Sequence, residues 1–287
     1  MRSFATHNPI AVAVYFLCAS GIAMFSMDPV ILGLSLAGAL VCCLLHRAAG
    51  WRSHVYTFGL FLAMAAINPL VSHGGVTVLV VLNHNPITLE AVLYGLAAGG
   101  MIISVLYWFR SFSAIMTSDK LLYLFGSLSP KLSLVLSMAL RYVPLFGTQA
   151  RKVRQAQTAL GLYKEDNAVD SFRGGLRIFS VMVTWALENG VTTADSMTAR
   201  GYGTGRRSRF TLFRWTSDDV LLLLVSLLLV ALAVFGQRTV AYYPTFTLAP
   251  LTDAACLGYA AYALLVSLPL IIHGKEALKW RCLQSRM

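Results

Sequence analysis

The sequence predicts an all-α integral membrane protein, with about six transmembrane helices and a pair of long cytosolic or interfacial helices set between the fourth and the fifth. Composition points there first. The 287 residues are 57% hydrophobic and only 12% charged, with a mean hydropathy of +0.68, whereas a soluble domain carries about 25% charged residues. The second observation is a series of apolar runs, each long enough for a hydrocarbon layer roughly 30 Å thick, which about 20 helical residues cross. The third is the placement of charge. When those runs are threaded through a bilayer, 22 of the 23 Lys and Arg residues fall on one side.

The runs lie near Ile10–Phe25, Val30–Leu45, Val55–Val71, Thr88–Phe109, Val220–Phe235 and Ala254–Ile272. Asn8-Pro9 and Asp28-Pro29 each pair an N-cap residue with proline at the first helical position, where the missing N–H costs nothing. The first two runs are therefore expected to form a tight hairpin. The first is read as a retained helix, because a second span follows at once and no small-residue cleavage pattern separates them.

Arg2 precedes the first run, Arg47 and Arg52 separate the second from the third, and 15 basic residues lie from Arg110 to Arg214. Lys275, Lys279, Arg281 and Arg286 follow the last run, and Arg238 alone falls opposite. By the positive-inside rule both termini are expected in the cytoplasm. The net charge of +11 is thus accounted for by topology, and no nucleic-acid partner is expected. Three segments follow: membrane helices over 1–109, a cytosolic coupling-helix segment over 110–217, and two further membrane helices with a basic tail over 218–287.

Within the middle segment, Ser118 to Phe125 reads as a short amphipathic helix. Ser129-Pro130 opens a helix that is apolar from Leu132 to Phe146 except at Arg141, turns polar from Thr148, and ends near Gly161. A second helix repeats the plan: Leu176 to Leu187 is apolar, and Glu188, Asn189, Thr192, Thr193 and Asp195 lead to Arg200-Gly201. Tyr163 to Asp170 is expected to be an acidic, polar turn between them. Both helices are read as interfacial. A spanning register would sink Arg141 at about 2.5 to 3.5 kcal/mol, and the apolar part of the second is short for a span.

Few residues suggest chemistry. Gly201-Tyr202-Gly203-Thr204-Gly205 lacks the strand-turn-helix context of a phosphate loop, and Gly201 reads as a helix stop. His73, His84 and the Asn83 to Pro86 stretch have no metal-ligand spacing. Cys18, Cys42, Cys43 and Cys256 lie in the apolar runs and Cys282 in the tail, which implies neither a disulfide framework nor a zinc site. The spans carry no ionisable group near their midpoints, where ion-coupled carriers place them. No catalytic residue and no metal site is expected. An arginine on a helix end leaves two uses open, holding lipid phosphate or docking a soluble partner.

One family combines these residues. Asn68-Pro69-Leu70, Gly75 to Leu79, Ile87-Thr88-Leu89-Glu90 leading to Tyr94-Gly95, Arg141-Tyr142-Val143-Pro144, Ala156-Gln157 and Met197-Thr198-Ala199-Arg200-Gly201-Tyr202 resemble, in that order, the transmembrane T component of energy-coupling factor (ECF) transporters, the EcfT/CbiQ family. The resemblance runs from about Asn68 to Tyr202. It implies a scaffold in a prokaryotic plasma membrane that couples two ABC-type ATPases to a substrate-capturing membrane subunit, the S component, for vitamins or Ni²⁺ and Co²⁺. ATP and Mg²⁺ would be held by the ATPases, and this chain would need no cofactor. The family's two coupling helices each end in an X-Arg-X motif that docks on an ATPase. Ala199-Arg200-Gly201 matches it, whereas Ala159-Leu160-Gly161 carries leucine where the arginine belongs. Leu134, Met138, Val181, Met182 and Trp185 could form a platform for the S component, or could pack as internal core. The other function class compatible with the sequence is a membrane-bound enzyme or regulator whose arginines, including Arg206, Arg207, Arg209 and Arg214, bind anionic lipid.

Overall fold

The computed structural model describes residues 4–46, 48, 50–72, 74–82, 85–161, 168–205 and 213–284. His73, Asn83, His84, Arg47, Arg206, Arg207, Arg209 and most of the polar turn after Gly161 lie outside the described residues. The chain divides into two units, Met1–Leu121 with Phe213–Met287, and Leu122–Leu212.

In the first unit, α1 (Pro9–Phe25) and α2 (Pro29–Leu45) start where their prolines allow. The Asn8 and Asp28 side chains accept from the backbone N–H of Ile10 and Val30, each at 3.0 Å. There follow α3 (Trp51–Val71), an antiparallel hairpin of β1 (Val78–Leu82) and β2 (Asn85–Thr88), and α4 (Leu89–Ile115), while α5 (Ser118–Leu128) contains the division between the units. After the second unit come α8 (Ser217–Phe235), a small hairpin of β3 (Val240–Ala241) and β4 (Thr247–Leu248), and α9 (Asp253–Gln284).

Among the described residues, four helices are long and apolar enough to cross a membrane: α3, α4, α8 and the Asp253–Lys275 part of α9. The sequence reading counted six. The two others, α1 and α2, have 17 residues each, about 25 Å of helix at 1.5 Å per residue, the lower limit of a span. Only Ser26 to Asp28 separates α1 from α2, yet the expected tight hairpin is not the main contact of either. α1 lies mostly against α4 and α8, α2 against α4 and α9, and α4 also packs along α3.

Lipid tails are as apolar as leucine, so helices in a bilayer associate through close packing and hydrogen bonds, not through hydrophobic exclusion. Both are present. A Cβ on Gly236 would lie 2.5 Å from the Ala254 carbonyl oxygen and 2.6 Å from the Gly258 Cα, so glycine lets α8 end against α9. The Trp108 indole donates to Ser35 Oγ at 3.0 Å, and Ser35 is also bonded to Ser104, joining α2 to α4. Tyr15 donates to the Leu265 carbonyl at 3.1 Å and Tyr262 to that of Ala19 at 3.3 Å, tying α1 to α9. Fully buried Asp219 binds His7 Nδ1 at 2.7 Å and the Asn8 N–H at 3.1 Å, fixing the start of α8 to the residues before α1. Arg238 donates to the Ala249 carbonyl, across the loop that carries β3 and β4.

The second unit is built on α6 (Pro130–Ala159) and α7 (Ala168–Ala199), helices of 30 and 32 residues. Neither contains an apolar window that qualifies as a span. α7 begins earlier than its polar first residues suggested, so Asp170 lies in its first turn, where a carboxylate is stabilised by the unpaired N–H groups of a helix start. The two helices meet through Tyr142, whose hydroxyl bonds Thr193 Oγ1 at 2.8 Å, and through an edge-to-face contact of Phe146 with Trp185 at 5.6 Å between ring centroids.

Candidate functional site

The ends of α6 and α7 are built alike. At the end of α7 the Tyr202 N–H donates to the Met197 carbonyl at 3.0 Å and the Gly201 N–H to that of Thr198 at 2.9 Å, the paired bonds of a Schellman cap. Gly201 has φ +78°, a left-handed value that costs a residue with a Cβ about 1 to 2 kcal/mol. At the end of α6 the Gly161 N–H donates to the Thr158 carbonyl at 3.0 Å, with φ +69°. Arg200 and Leu160 each sit just before that glycine, and their N–H groups bond the carbonyls of Ser196 and Ala156 at 3.2 and 3.1 Å. Ala199 and Ala159 are the last helical residues. The structure thus sets the two tripeptides, Ala-Leu-Gly and Ala-Arg-Gly, in matching backbone positions.

Their side chains differ. Arg200 is exposed, and no carboxylate among the described residues lies within ion-pair distance of it. Its guanidinium can present a fork of donors to an outside acceptor. Leu160 is 73% exposed, an apolar side chain on a helix end whose last turn carries no basic residue. One turn before Leu160, Gln157 is buried and its Oε1 has no hydrogen-bond partner among the described residues.

Leu134, Met138, Met182 and Trp185 are half-buried, and Val181 is exposed. The sequence reading marked Leu176 to Leu187 as apolar, but not the open stripe that extends beyond it at both ends. Phe172, Leu176, Phe179, Val183, Leu187 and Val191 lie along one face of α7, all exposed. Their spacing of three and four residues is the signal that could have found it.

The other singled-out residues are structural. Asn68 donates to the Ala91 carbonyl at 3.0 Å, and a Cβ on Gly95 would lie 2.8 Å from the Ala65 carbonyl oxygen, so both serve the crossing of α3 and α4. Thr88 caps α4 and donates to the Gly74 carbonyl at 2.7 Å, while buried Glu90 accepts from the Thr77 N–H at 3.3 Å. Lys120 donates to the Ile115 carbonyl at 2.8 Å, and burial lowers its pKa. No cluster of metal-ligating side chains occurs among the described residues.

A family profile described as "Cobalt transport protein", CbiQ, matches residues 2–212. The chain belongs to the CbiQ family. That match takes in α1 to α7 and both helix ends, so the paired termini lie within the family's region. Known relatives agree. The energy-coupling factor transporter transmembrane protein EcfT 1 of Listeria monocytogenes is 31% identical over 102 residues, 35% of this chain and 38% of the relative. The EcfT of Listeria innocua is 31% identical over 111 residues, 38% of this chain and 42% of that protein. The EcfT of Lactobacillus helveticus is 27% identical over 104 residues, covering 36% and 38%. These alignments span about two fifths of the relatives' own length. This CbiQ-family chain is therefore a membrane protein of a transport family, with a pair of matched helix ends outside its span-forming helices.

Proposed function

We propose that this chain is the transmembrane T subunit of an ECF-type importer, which couples ATP hydrolysis by two partner ATPases to uptake through a substrate-capturing subunit. The observation that carries the reading is the exposed Arg200 on a helix end fixed by Gly201, with Leu160 in the matching place on α6. A long helix transmits a push along its axis because its backbone bonds run parallel to it, and a capped end holds the terminal side chain at a fixed angle. A guanidinium there can form bidentate bonds with a carboxylate in a partner's groove. Family membership and the names of the relatives support the assignment.

In this reading the chain hydrolyses no nucleotide. Its sequence has no Gly-x-x-x-x-Gly-Lys-Ser/Thr stretch, whose backbone would cradle phosphates, so ATP and Mg²⁺ belong to the partners. Substrate identity would lie with the S subunit, a vitamin or Ni²⁺/Co²⁺ carrier. The excess of Lys and Arg on one side of the spans supports cytoplasmic termini, and the family reading supports a prokaryotic cell membrane. Purification in mild detergent with mass spectrometry of the bound proteins tests this. Two ABC-type ATPases and a small membrane protein should accompany the chain, and ATPase activity by the isolated polypeptide would refute the reading.

A further inference from the structure

In the hairpin between α3 and α4, β2 buries Thr88 while β1 leaves its side chains from Val78 to Val81 open. In β1, Val78, Leu79, Val80 and Val81 are 53, 55, 54 and 62% exposed, on both faces of the strand. Successive residues of a strand point to opposite sides, so a strand apolar on both faces needs cover on both. β2 is the strand that touches α3 and α4, and β1 pairs with β2 as the outer strand.

The base is firmly held. The Leu89 N–H donates to the Thr77 carbonyl at 2.9 Å, Thr88 Oγ1 to the Gly74 carbonyl, and the Thr77 N–H to buried Glu90. These bonds fix the hairpin to the first turn of α4, a span-forming helix, and to the chain just after α3, another. The hairpin therefore sits at a membrane boundary.

We propose that β1 lies in the lipid interface at that boundary, with its valines and leucine among the upper acyl chains. In water an uncharged edge strand is a template for aggregation, and soluble proteins protect such edges with lysine or proline. Here no Asp, Glu, Lys or Arg occurs from Ser72 to Leu89, and β1 contains no proline. The end of α3, the helix that β2 touches, is likewise open and apolar, with Leu70 and Val71 60 and 73% exposed. Deep immersion is excluded by the outer edge of β1, whose backbone groups have no strand partner among the described residues and must reach water or headgroups. The resulting depth is shallow, about 5 to 10 Å into the headgroup and acyl boundary, as for other interfacial segments.

The test uses the full chain in liposomes. Val80→Cys is made with Cys256 and Cys282, the exposed cysteines among the described residues, changed to serine, and is labelled with an environment-sensitive fluorophore. Lys152→Cys on the polar end of α6 serves as the aqueous control. Expected are a blue-shifted emission, strong quenching by lipids brominated near the headgroup, weaker quenching by deeper bromines, and little by aqueous iodide. Iodide quenching equal to that of the control would place the strand in water and overturn the proposal. Protection from both quenchers would show a protein cover, such as a second copy, and would overturn it too. Val81→Cys repeats the measurement if the first variant does not fold.

Discussion

Leu160 and Arg200 hold the same backbone position on two different helices: each follows a terminal alanine and precedes a glycine in the left-handed region, with φ of 69° at Gly161 and 78° at Gly201. The geometry is shared and the chemistry is not. A partner that meets both ends meets one guanidinium and one isobutyl group, so two equivalent docking contacts are ruled out by the side chains themselves.

If the chain has the proposed coupling role, Arg200→Ala is expected to weaken association with the ATPases and to abolish most uptake while membrane insertion stays normal. Removing one member of a desolvated, hydrogen-bonded charge pair costs about 2 to 5 kcal/mol. Co-purification yield and uptake in whole cells check it together. Arg200→Lys should recover only part, because an ammonium cannot make the planar two-pronged contact.

Leu160→Ala is expected to harm coupling less than Arg200→Ala. The loss is some apolar contact, at about 25 cal/mol per Å², with no charge left unpaired. Leu160→Arg should be tolerated only where the facing groove has a carboxylate. Equal loss of ATPase binding and uptake in the two alanine variants would contradict the asymmetric arrangement.

Gly201→Ala separates cap from charge. The left-handed backbone costs alanine about 1 to 2 kcal/mol, and the new Cβ would lie 3.2 Å from Thr204 Oγ1. The last turn of α7 should loosen with Arg200 intact. Uptake is expected to fall while the thermal unfolding midpoint of the chain changes little, and normal uptake would show that the cap is dispensable.

Gly236→Val should act in the membrane unit alone. A Cβ there meets the Ala254 carbonyl and the Gly258 Cα inside van der Waals distance, so α8 and α9 must part. Overpacking of this kind costs about 1 to 3 kcal/mol or more. A lower midpoint in detergent, read by fluorescence-detected size exclusion, is the expected result, whereas Gly205→Val, with open space around the glycine, should leave it unchanged.

Much of this molecule was legible from one dimension. Asn8-Pro9 and Asp28-Pro29 announced two helix starts because a cap and a fixed φ are local properties, and both appear as read. Gly201 announced a stop for the same reason, since only glycine enters the left-handed region cheaply. The start of α7 was not legible. Polar residues around Asp170 resemble a turn, but a carboxylate is also what a helix start favours, and composition does not distinguish the two.

The sequence by itself determined that the chain is a helical membrane protein and that α6 and α7 end at glycines, because apolar length, charge placement and glycine stereochemistry act over neighbouring residues. Only the tertiary structure decided that α1 leans on α4 and α8 instead of on α2, and that Phe172, Leu176 and Phe179 form an open stripe while Trp185 turns toward Phe146. An all-round apolar helix has no preferred face of its own. Which side is buried depends on the shapes of distant partners, and those meet only in the folded chain.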